Sequence, residues 1–444
     1  MMKFQIEKVT SDSRVFTLSK GNVSEQNTYT IITGKNSSGK SRLLSKVVNS
    51  FIFSKDDSAL LASGSITSPK KVIAVSTGRF DKFPLYVHAA KNSNFKNNYF
   101  YYGLKTTSNS PHAILTKGIA SIFYGMSINH GILKRLGRLF SYLGFAPMMD
   151  ISFSLNVNLG KLKSGNYVEF YNDYVERNRF KDPLFIEKLN NYKEKNNLTH
   201  LEDFISNVSK YIDYTQYHYL GKNFYFRLNL YSESDMFESE IENLLVLIDL
   251  NILQVKDIRV FGKTEKNKIS LFQSSSGQQC MILMMMGIAS SISNGSLICI
   301  DEPEISLHPK WQLEFIDLLQ NTFSDYVGCH FLIATHSPQI VSGLKSDNGY
   351  ILSLENDELT SSVDNSFRSA DYQLAEVFDA PGYRNEYITK LAINLFSKVK
   401  KNKSFDVEDT ALLERLKSFK ENIASEDPVY ELIKVLEEVF DYYG

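Results

Sequence analysis

A loop rich in glycine and serine, G-K-N-S-S-G-K-S at residues 34–41, places the strongest constraint on how this 444-residue chain can fold. The loop follows an apolar run at residues 29–33 that predicts a strand, and it precedes residues 41–53, whose apolar positions recur at helical spacing. Glycines let such a loop wrap its backbone N–H groups around an anion, and the following helix presents its N-terminus to the same anion. The pattern therefore predicts a phosphate-binding strand–loop–helix unit, called the phosphate loop below.

The residue types in the phosphate loop match the needs of a nucleoside triphosphate. Lys40 would contact the β- and γ-phosphates of ATP, and Ser41 would ligate Mg²⁺. The other loop positions predicted to bind ATP are Gly34, Asn36, Ser37, Ser38 and Gly39.

Two later apolar runs end in residues suited to hydrolysis. The run L-I-C-I-D-E at 297–302 predicts a buried strand that delivers Asp301 and Glu302 to the phosphate end of a parallel sheet. Asp301 would hold Mg²⁺ through water, and Glu302 would polarise the attacking water. A surface acidic pair is the alternative, but the following P-E-I-S-L-H-P disfavours it. His336 ends the next predicted strand, F-L-I-A-T-H, where its imidazole would lie beside the γ-phosphate.

A second anion site is predicted at S-S-S-G-Q-Q, residues 274–279, which precede a long apolar helix. We call it the signature segment, and its predicted ATP-binding residues are Ser275, Ser276, Gly277 and Gln278. It cannot serve the phosphates that the phosphate loop of the same chain already holds. The signature segment could bind the γ-phosphate held by a second copy of the chain, across an interface between the two copies. The alternative is that the segment is only the N-cap of its helix.

These motifs in this order resemble the ATP-binding-cassette (ABC) ATPases, specifically the RecF/SMC/OLD-like branch outside transporters. The wording D-E-P-E-x-x-L-H-P and A-T-H-S-P is similar to OLD-like and prokaryotic antiphage ATPases, including the Septu-type and retron-associated defence ATPases. The resemblance covers residues 1–85 and 255–355. It implies an α/β fold, an ABC-ATPase P-loop head with a mixed α+β insertion and a helical C-terminal tail.

The expected domains are a first ATPase lobe at 1–84, a mixed insertion at 85–255, a second ATPase lobe at 256–355 and a helical region at 356–444. Within the insertion, alternation predicts a strand at 150–159, and residues 167–171 are its expected pairing partner. The aromatic run Y-F-Y-Y at 99–102 fits either base stacking or a strand packed on the core, and the core is favoured.

The chain departs from the resembled families in two ways. It has no glutamine between Asn27 and Thr215 for the Mg²⁺-sensing loop, so Ser76, Thr77 or Asp81 would have to take that role. Residues after Ser337 contain no D-x-D for a TOPRIM site, no histidine follows His336, and no R-x4-6-H pair occurs. We therefore predict no nuclease site in this chain.

Composition sets limits on other classes. With 49 basic and 50 acidic residues the net charge is -1, which weakens the case for DNA binding without excluding a local basic face. Three cysteines without a C-x-x-C pair argue against disulfides and zinc, and favour buried thiols in a reducing cytoplasm. No apolar window approaches the length of a membrane span, and the N-terminus lacks the apolar core of a signal peptide.

The function that the resemblance implies is an ATP-dependent switch that uses ATP and Mg²⁺. Two protomers would form a homodimer by sandwiching two ATP molecules, and the dimer would control a separate effector, a nuclease or toxin, in antiphage defence with DNA or a phage product as trigger. One alternative is a RecF-type DNA-repair ATPase; another is a scaffold that binds ATP with little turnover. A transporter cassette ranks lower, because Lys40 and Gly277 are too far apart in sequence.

Overall fold

The computed structural model describes residues 4–20, 26–53, 60–62, 68–78, 80–85, 98–103, 111–128, 131–180, 185–216, 219–220, 223–231, 238–263, 268–365 and 368–443.

Fifteen strands lie within these ranges. They are β1 (Ile6–Ser11), β2 (Arg14–Thr17), β3 (Thr28–Thr33), β4 (Leu60–Ala62), β5 (Val72–Ser76), β6 (Tyr99–Gly103), β7 (Phe145–Leu155), β8 (Tyr219–Leu220), β9 (Asn223–Asn229), β10 (Leu253–Gly262), β11 (Lys268–Ser270), β12 (Leu297–Asp301), β13 (His330–Ala334), β14 (Gly349–Ser353) and β15 (Glu358–Ser361).

The helices of the described residues are α1 (Lys40–Ile52), α2 (Pro111–Ile128), α3 (Gly131–Tyr142), α4 (Leu159–Lys163), α5 (Tyr167–Arg179), α6 (Phe185–Lys195), α7 (Leu201–Gln216), α8 (Glu238–Asp249), α9 (Ser276–Ser291), α10 (Pro309–Thr322), α11 (Pro338–Gly343), α12 (Ser362–Asn365), α13 (Ala370–Tyr372), α14 (Glu386–Asn402), α15 (Val407–Lys420) and α16 (Pro428–Tyr443). A π-helical turn, Gln373–Val377, continues α13.

A seven-stranded sheet forms the centre of the fold, in the order β15-β14-β3-β13-β12-β5-β6. Neighbouring strands are parallel except for β14 and β15, which are antiparallel. The inner strands β3, β5, β12 and β13 are buried along their whole length. Both faces of the sheet are therefore covered, which is why these strands read as continuous apolar runs rather than alternating ones. The expected α/β class is confirmed at the level of a mixed sheet with covering helices.

Successive residues of the inner strands face two different hydrophobic cores. Ile73 and Val75 of β5 belong to the core that includes the methionines of α9, whereas Val72 and Ala74 belong to the core that includes the leucines of α1. Because side chains alternate between the faces of a sheet, α1 and α9 lie on opposite faces. This division decides where the two predicted anion sites can be.

The antiparallel sheet β2-β1-β4 joins the central sheet through His330, which is fully buried at the start of β13. The backbone N–H of Ile6 donates to His330 Nδ1 at 3.1 Å, and His330 Nε2 lies 3.0 Å from Thr30 Oγ1. Thr30 donates its own proton to the carbonyl of Leu18, so Nε2 carries the imidazole proton and donates to Thr30. The neutral ring thus links three segments, and burial lowers the pKa of His330 to about 3.

A second antiparallel sheet, in the order β11-β10-β7-β9-β8, contains much of the segment predicted as an insertion. The strand expected at 150–159 is present as β7 but begins five residues earlier, at Phe145. The expectation that residues 167–171 pair with it is wrong, because they begin helix α5; β9 and β10 pair with β7 instead. Phe170 and Tyr174, one helical turn apart, are the buried residues that fix this helix. Strand β10 spans the boundary expected at residue 255.

The aromatic run at 99–102 forms the edge strand β6. Tyr99 and Tyr101 are buried in the core on the α1 face, and Phe100 and Tyr102 pack against the core on the other face. The run therefore has the arrangement of a core strand.

The C-terminal helices α14, α15 and α16 pack around a hydrophobic core of their own, which includes Ile388, Leu416 and Ile433. The helical tail agrees with expectation. The region expected to be helical from residue 356 also contains β15, which pairs with β14 as an antiparallel hairpin. No helix of the described residues has the length and hydropathy needed to cross a membrane.

The stability of the wild-type protein should depend on pH through His330. Because burial depresses its pKa in the folded state, the stabilisation is complete above the unfolded-state pKa of 6.5 and is lost as pH falls toward about 3. Relative to a His330→Gln variant, whose amide can still accept from Ile6, the wild type should lose about 1.4 kcal/mol per pH unit below 6.5. Urea denaturation at several pH values measures this difference, and a difference that stays constant from pH 7.5 to 5 would contradict the prediction.

Candidate functional site

The phosphate loop leaves β3 and enters α1 at the carboxyl edge of the central sheet. Gly34 and Gly39 have φ values of 153° and 104°, which favour glycine, and a Cβ at Gly34 would lie 2.6 Å from Ser38 Oγ. Asn36 and Ser37 are exposed on the outside of the loop. Ser38 Oγ is buried and has no hydrogen-bond partner within the described residues. An anion at the N-terminus of α1 would supply the missing acceptor, so the loop fits a phosphate group.

Lys40 is buried at the first position of α1. Its ammonium group donates to the carbonyl oxygens of Gly34 at 2.8 Å and Lys35 at 3.1 Å, and it lies 3.4 Å from His336 Nδ1. Burial lowers the pKa of Lys40, while nearby carboxylates, Glu302 first among them, act in the opposite direction. The positive charge is thus held at the edge of the sheet by oxygen atoms that a phosphate could replace.

Ser41 and Asp301 are brought together, as the sequence predicted for a shared metal ion. Ser41 Oγ donates to Asp301 Oδ1 at 3.0 Å. Burial raises the pKa of Asp301 from 3.8 to about 7, the hydrogen bond from Ser41 lowers it, and the carboxylates of Glu302, Asp81 and Glu304 raise it further. A bound cation would reverse this repulsion.

The protein supplies only part of a metal coordination sphere. Within the described ranges, no group of three or more His, Cys, Asp or Glu side chains is placed to hold a metal ion. Mg²⁺ in nucleotide sites commonly keeps waters and phosphate oxygens as ligands beside one or two protein groups. The pair Ser41 and Asp301 therefore fits Mg²⁺ that arrives with a nucleotide.

Glu302 occupies a strained position at the start of the turn formed by residues 301–306, called the acidic turn below. Its φ is 50°, a left-handed value that costs about 1–3 kcal/mol for a residue other than glycine. Two contacts hold it there: its N–H donates to the carbonyl of Ala334 at 2.9 Å, and the hydroxyl of Thr77 donates to its carbonyl. Its carboxylate is partly exposed, with Oε1 3.7 Å from His336 Nε2.

His336 lies between Lys40 and Glu302. Burial and the charge of Lys40 lower the pKa of His336 to about 4, so the imidazole is neutral near pH 7. Because Lys40 can only donate, Nδ1 accepts from it and Nε2 carries the proton. The ring therefore presents an N–H donor toward Glu302 and the adjoining space.

The structure separates the three residues that could replace the missing glutamine. Thr77 contacts Glu302 directly. Ser76 exchanges hydrogen bonds with Gly78 in its own turn, and Asp81 accepts from the Tyr101 hydroxyl at 2.6 Å and from the Phe83 N–H at 3.0 Å. Thr77 thus contacts the acidic turn by a hydrogen bond.

The signature segment is not brought to the phosphate loop of the same chain. Ser275 is the N-cap of α9, its side chain accepts from the N–H of Gln278, and the Gln278 side chain completes a capping box. Ser276 is exposed, and Gly277 is packed so closely that a Cβ would lie 2.5 Å from the carbonyl oxygen of Ser306. Ser275 therefore does cap α9. The N-terminus of α9 lies against the acidic turn, on the face of the sheet opposite α1.

Sequence reasoning assigned no role to Glu304, whose carboxylate accepts from the backbone N–H of His336 at 2.5 Å and from the Thr335 hydroxyl at 2.8 Å. The second glutamate of D-E-P-E was the available signal. The contact between Lys35 and the tail was also not predicted. The backbone N–H of Lys35 donates to the Glu355 carboxylate at 2.6 Å, and its ammonium group lies 3.4 Å from Asp379. Asp379 also accepts a hydrogen bond from the Asn422 side chain at 3.1 Å.

Comparison with known proteins supports an ATPase. Residues 148–341, which include the signature segment, Asp301, Glu302 and His336 but not the phosphate loop, match the family described as AAA ATPase domain. The chain is 30% identical over 152 residues to the Retron Vc95 probable ATPase of Vibrio cholerae serotype O1 biovar El Tor, covering 30% of this chain and 29% of that protein. It is 30% identical over 101 residues to the Retron Ec83 probable ATPase of Escherichia coli, covering 20% and 18%.

The chain thus spans under a third of the length of either of these relatives. The match of residues 148–341 to an AAA ATPase domain and the similarity to retron-associated probable ATPases confirm the resemblance to ATPases of that kind.

Removing the charge of Asp301 should separate stability from metal binding. Burial raises the folded-state pKa of this carboxyl, so its contribution to stability is greatest below pH 3.8 and is lost as pH rises through about 7. The nucleotide-free Asp301→Asn variant should therefore be more stable than the wild type at pH 8, on the order of 2 kcal/mol, and equally stable or less stable at pH 4.

Thermal denaturation at both pH values, with and without Mg²⁺-ATP, measures these effects. Only the wild type should gain a large further stabilisation from Mg²⁺-ATP at pH 8. An Asp301→Asn variant that is less stable at pH 8 than the wild type without ligand would contradict the electrostatic argument.

Proposed function

We propose that this chain, whose residues 148–341 match an AAA ATPase domain, is an ATP-binding and hydrolysing switch subunit with the P-loop head of an ABC ATPase. Two copies form a head-to-head homodimer with composite ATP sites, and the dimer controls a separate effector, a nuclease or toxin, in prokaryotic antiphage defence. The observation that carries the proposal is the convergence of Lys40, Ser41, Asp301, Glu302 and His336 at one edge of the sheet, while the signature segment lies on the other face.

Each residue of the convergent set has a role that follows from its contacts. The phosphate loop and Lys40 bind the β- and γ-phosphates. The phosphate oxygens then replace the two carbonyl oxygens that accept hydrogen bonds from the Lys40 ammonium group. Ser41 and Asp301 would hold Mg²⁺, which would supply positive charge to neutralise the phosphates. Glu302 accepts a proton from the attacking water, and His336 donates its Nε2–H toward the γ-phosphate.

Glu302 rather than Glu304 is the candidate base, because the two carboxylates differ in the hydrogen bonds that they accept. Both oxygens of Glu304 accept hydrogen bonds from Thr335 and His336. Glu302 is partly exposed and uses its backbone, not its carboxylate, to hold its position. A general base needs an accessible lone pair within reach of a water molecule, and the Glu302 carboxylate, which is not used to hold the protein backbone, suits this requirement better.

The separation of α1 and α9 by the sheet is the argument for a composite site. Both helices begin near the carboxyl edge, but a γ-phosphate held by the phosphate loop lies across the sheet from the signature segment of its own chain. A second copy related by a twofold axis can present that segment to the phosphate. ATP then binds the closed dimer better than the open one, which is the condition for a switch.

We assign the working partner to another chain. The two retron-associated relatives are named only as probable ATPases, and the tail of this chain forms a small helical core of its own. A RecF-type role is less favoured, because on the outer sheet Arg227 and Lys268 both pair with Asp150, and Arg259 pairs with Asp257. Two buried free cysteines and a third that is partly buried fit a reducing cytoplasm.

Mixing two inactive variants tests the composite site. Lys40→Ala removes phosphate binding from one half-site, and Ser276→Glu places a negative charge at the other while remaining favourable to the N-terminus of its own helix. Each variant alone should fail to form an ATP-dependent dimer and should lose ATPase activity by about 100-fold or more. In a mixture, heterodimers contain one doubly defective site and one intact site, so dimer formation and turnover should partly return.

The Ser276→Gln variant is the matched control for size, because glutamine has the shape of glutamate without its charge. It should retain more activity than Ser276→Glu. Analytical ultracentrifugation with ATP and a phosphate-release assay provide the readouts. Failure of the mixture to restore either signal, despite exchange of protomers, would show that each chain completes its own site.

Glu302→Gln tests hydrolysis and distinguishes a switch from a scaffold. The amide cannot accept the proton from water, so turnover should fall by about 10²–10⁴-fold while ATP affinity is kept. Because ATP then persists, the fraction of dimer should rise at equal ATP concentration. Unchanged turnover and dimer fraction would reject the site, and a wild type that already has negligible turnover would favour the scaffold.

A further inference from the structure

The carboxylate of Glu304 connects the acidic turn to the end of β13. One oxygen accepts from the backbone N–H of His336 at 2.5 Å, and the other accepts from the hydroxyl of Thr335 at 2.8 Å. Thr335 is fully buried, and its hydroxyl oxygen also accepts the N–H of Ser337 at 3.0 Å. A single side chain thus holds two consecutive residues of the strand end.

His336 depends on this contact because it lies beyond the sheet ladder. The backbone N–H of Thr335 still donates to Ile32 of β3 at 3.1 Å, whereas that of His336 donates to the Glu304 side chain. The next residue, Ser337, is the N-cap of α11 and belongs to the following helix. The backbone at His336 is therefore fixed by a side chain from the neighbouring loop rather than by strand pairing.

We propose that Glu304 is a positioning residue for His336: its carboxylate fixes the backbone of Thr335 and His336 so that the imidazole stays between Lys40 and Glu302. The inference rests on the proposed ATPase site. Both of its oxygens accept protein donors, so in this role Glu304 acts through the backbone of Thr335 and His336 rather than on the reacting atoms. The two glutamates of D-E-P-E then have separate tasks, the first in chemistry and the second in orientation.

The geometry explains why the side chain needs two polar atoms at its end. Two donors converge on the two oxygens of one planar group, and charge-assisted hydrogen bonds of this kind are the stronger ones. Glutamine can keep the bond to the His336 N–H and donate its amide to Thr335 Oγ1 after the hydroxyl turns. Alanine removes both acceptors and leaves the His336 N–H without a partner.

Steady-state kinetics of the full-length protein test the proposal. Glu304→Ala should lower kcat by about 10–100-fold, as expected when a catalytic group is misplaced by about 1 Å, with KM for ATP changed by less than about twofold. Glu304→Gln should recover most of the loss. Glu314→Ala, on the outer face of α10, is the matched control for removal of a glutamate and should leave kcat and KM unchanged.

A double-mutant cycle with His336→Ala separates positioning from a structural role. If Glu304 acts through His336, adding Glu304→Ala to His336→Ala should lower kcat no further. The proposal would be overturned if Glu304→Ala lowered kcat by the same factor in the wild type and in His336→Ala. It would also be overturned if Glu304→Gln failed to restore kcat and its loss of kcat matched a fall in melting temperature. If Glu304→Ala does not fold, Thr335→Val removes one of the two donors and completes the same cycle.

The same measurements distinguish this inference from the function on which it rests. If His336→Ala and Glu302→Gln both keep wild-type turnover, the ATPase site itself is wrongly assigned. If both are impaired while Glu304→Ala is additive with His336→Ala, only the positioning role fails.

Discussion

The parallel pairing of β12 with β5 on one side and β13 on the other is the constraint on which the site depends. In this register Asp301 lies level with Ser76 of β5 and Ala334 of β13, and Ala334 lies level with Ile32 of β3. The residues that follow these strand ends therefore emerge along one edge of the sheet. A shift of one residue in any of these pairings would turn the neighbouring side chains to the opposite face.

The carboxyl edge of the sheet brings together charges whose burial is electrostatically costly. Carboxylates from Asp301, Glu302 and Glu304 lie near one buried ammonium group, and burial raises the pKa of Asp301 and Glu304 while it lowers that of Lys40. A positive φ at Glu302 adds backbone strain at the same place. Such a concentration of perturbed groups is typical of functional sites, where ligand binding relieves part of the cost.

Local patterns predicted the elements that carry the site, but not the contacts between them. The phosphate loop, the acidic pair and His336 were identifiable because each follows a short apolar run and has a recognisable composition. The contacts that Thr77, Glu304 and Lys35 make were not, because their partners lie between 31 and 344 positions away in sequence and depend on strand order. The helix at Tyr167–Arg179 was misread as a strand at its start, since a five-residue window that mixes aromatic and acidic residues satisfies both periodicities. The domain boundaries and the functions of the site residues remain predictions.

The contact between Lys35 and the tail affects how strongly the phosphate loop is linked to the tail helices. Val377 and Phe378 attach the start of the tail to the main core by apolar packing, which salt affects little. Beside them, Lys35 meets Glu355 and Asp379 through partly exposed charges, and Asp379 is shared with Asn422 of the helical tail. Exposed ion pairs are screened over about 10 Å at 0.1 M salt. Ionic strength therefore weakens the link between the phosphate loop and the tail helices while leaving their apolar attachment in place.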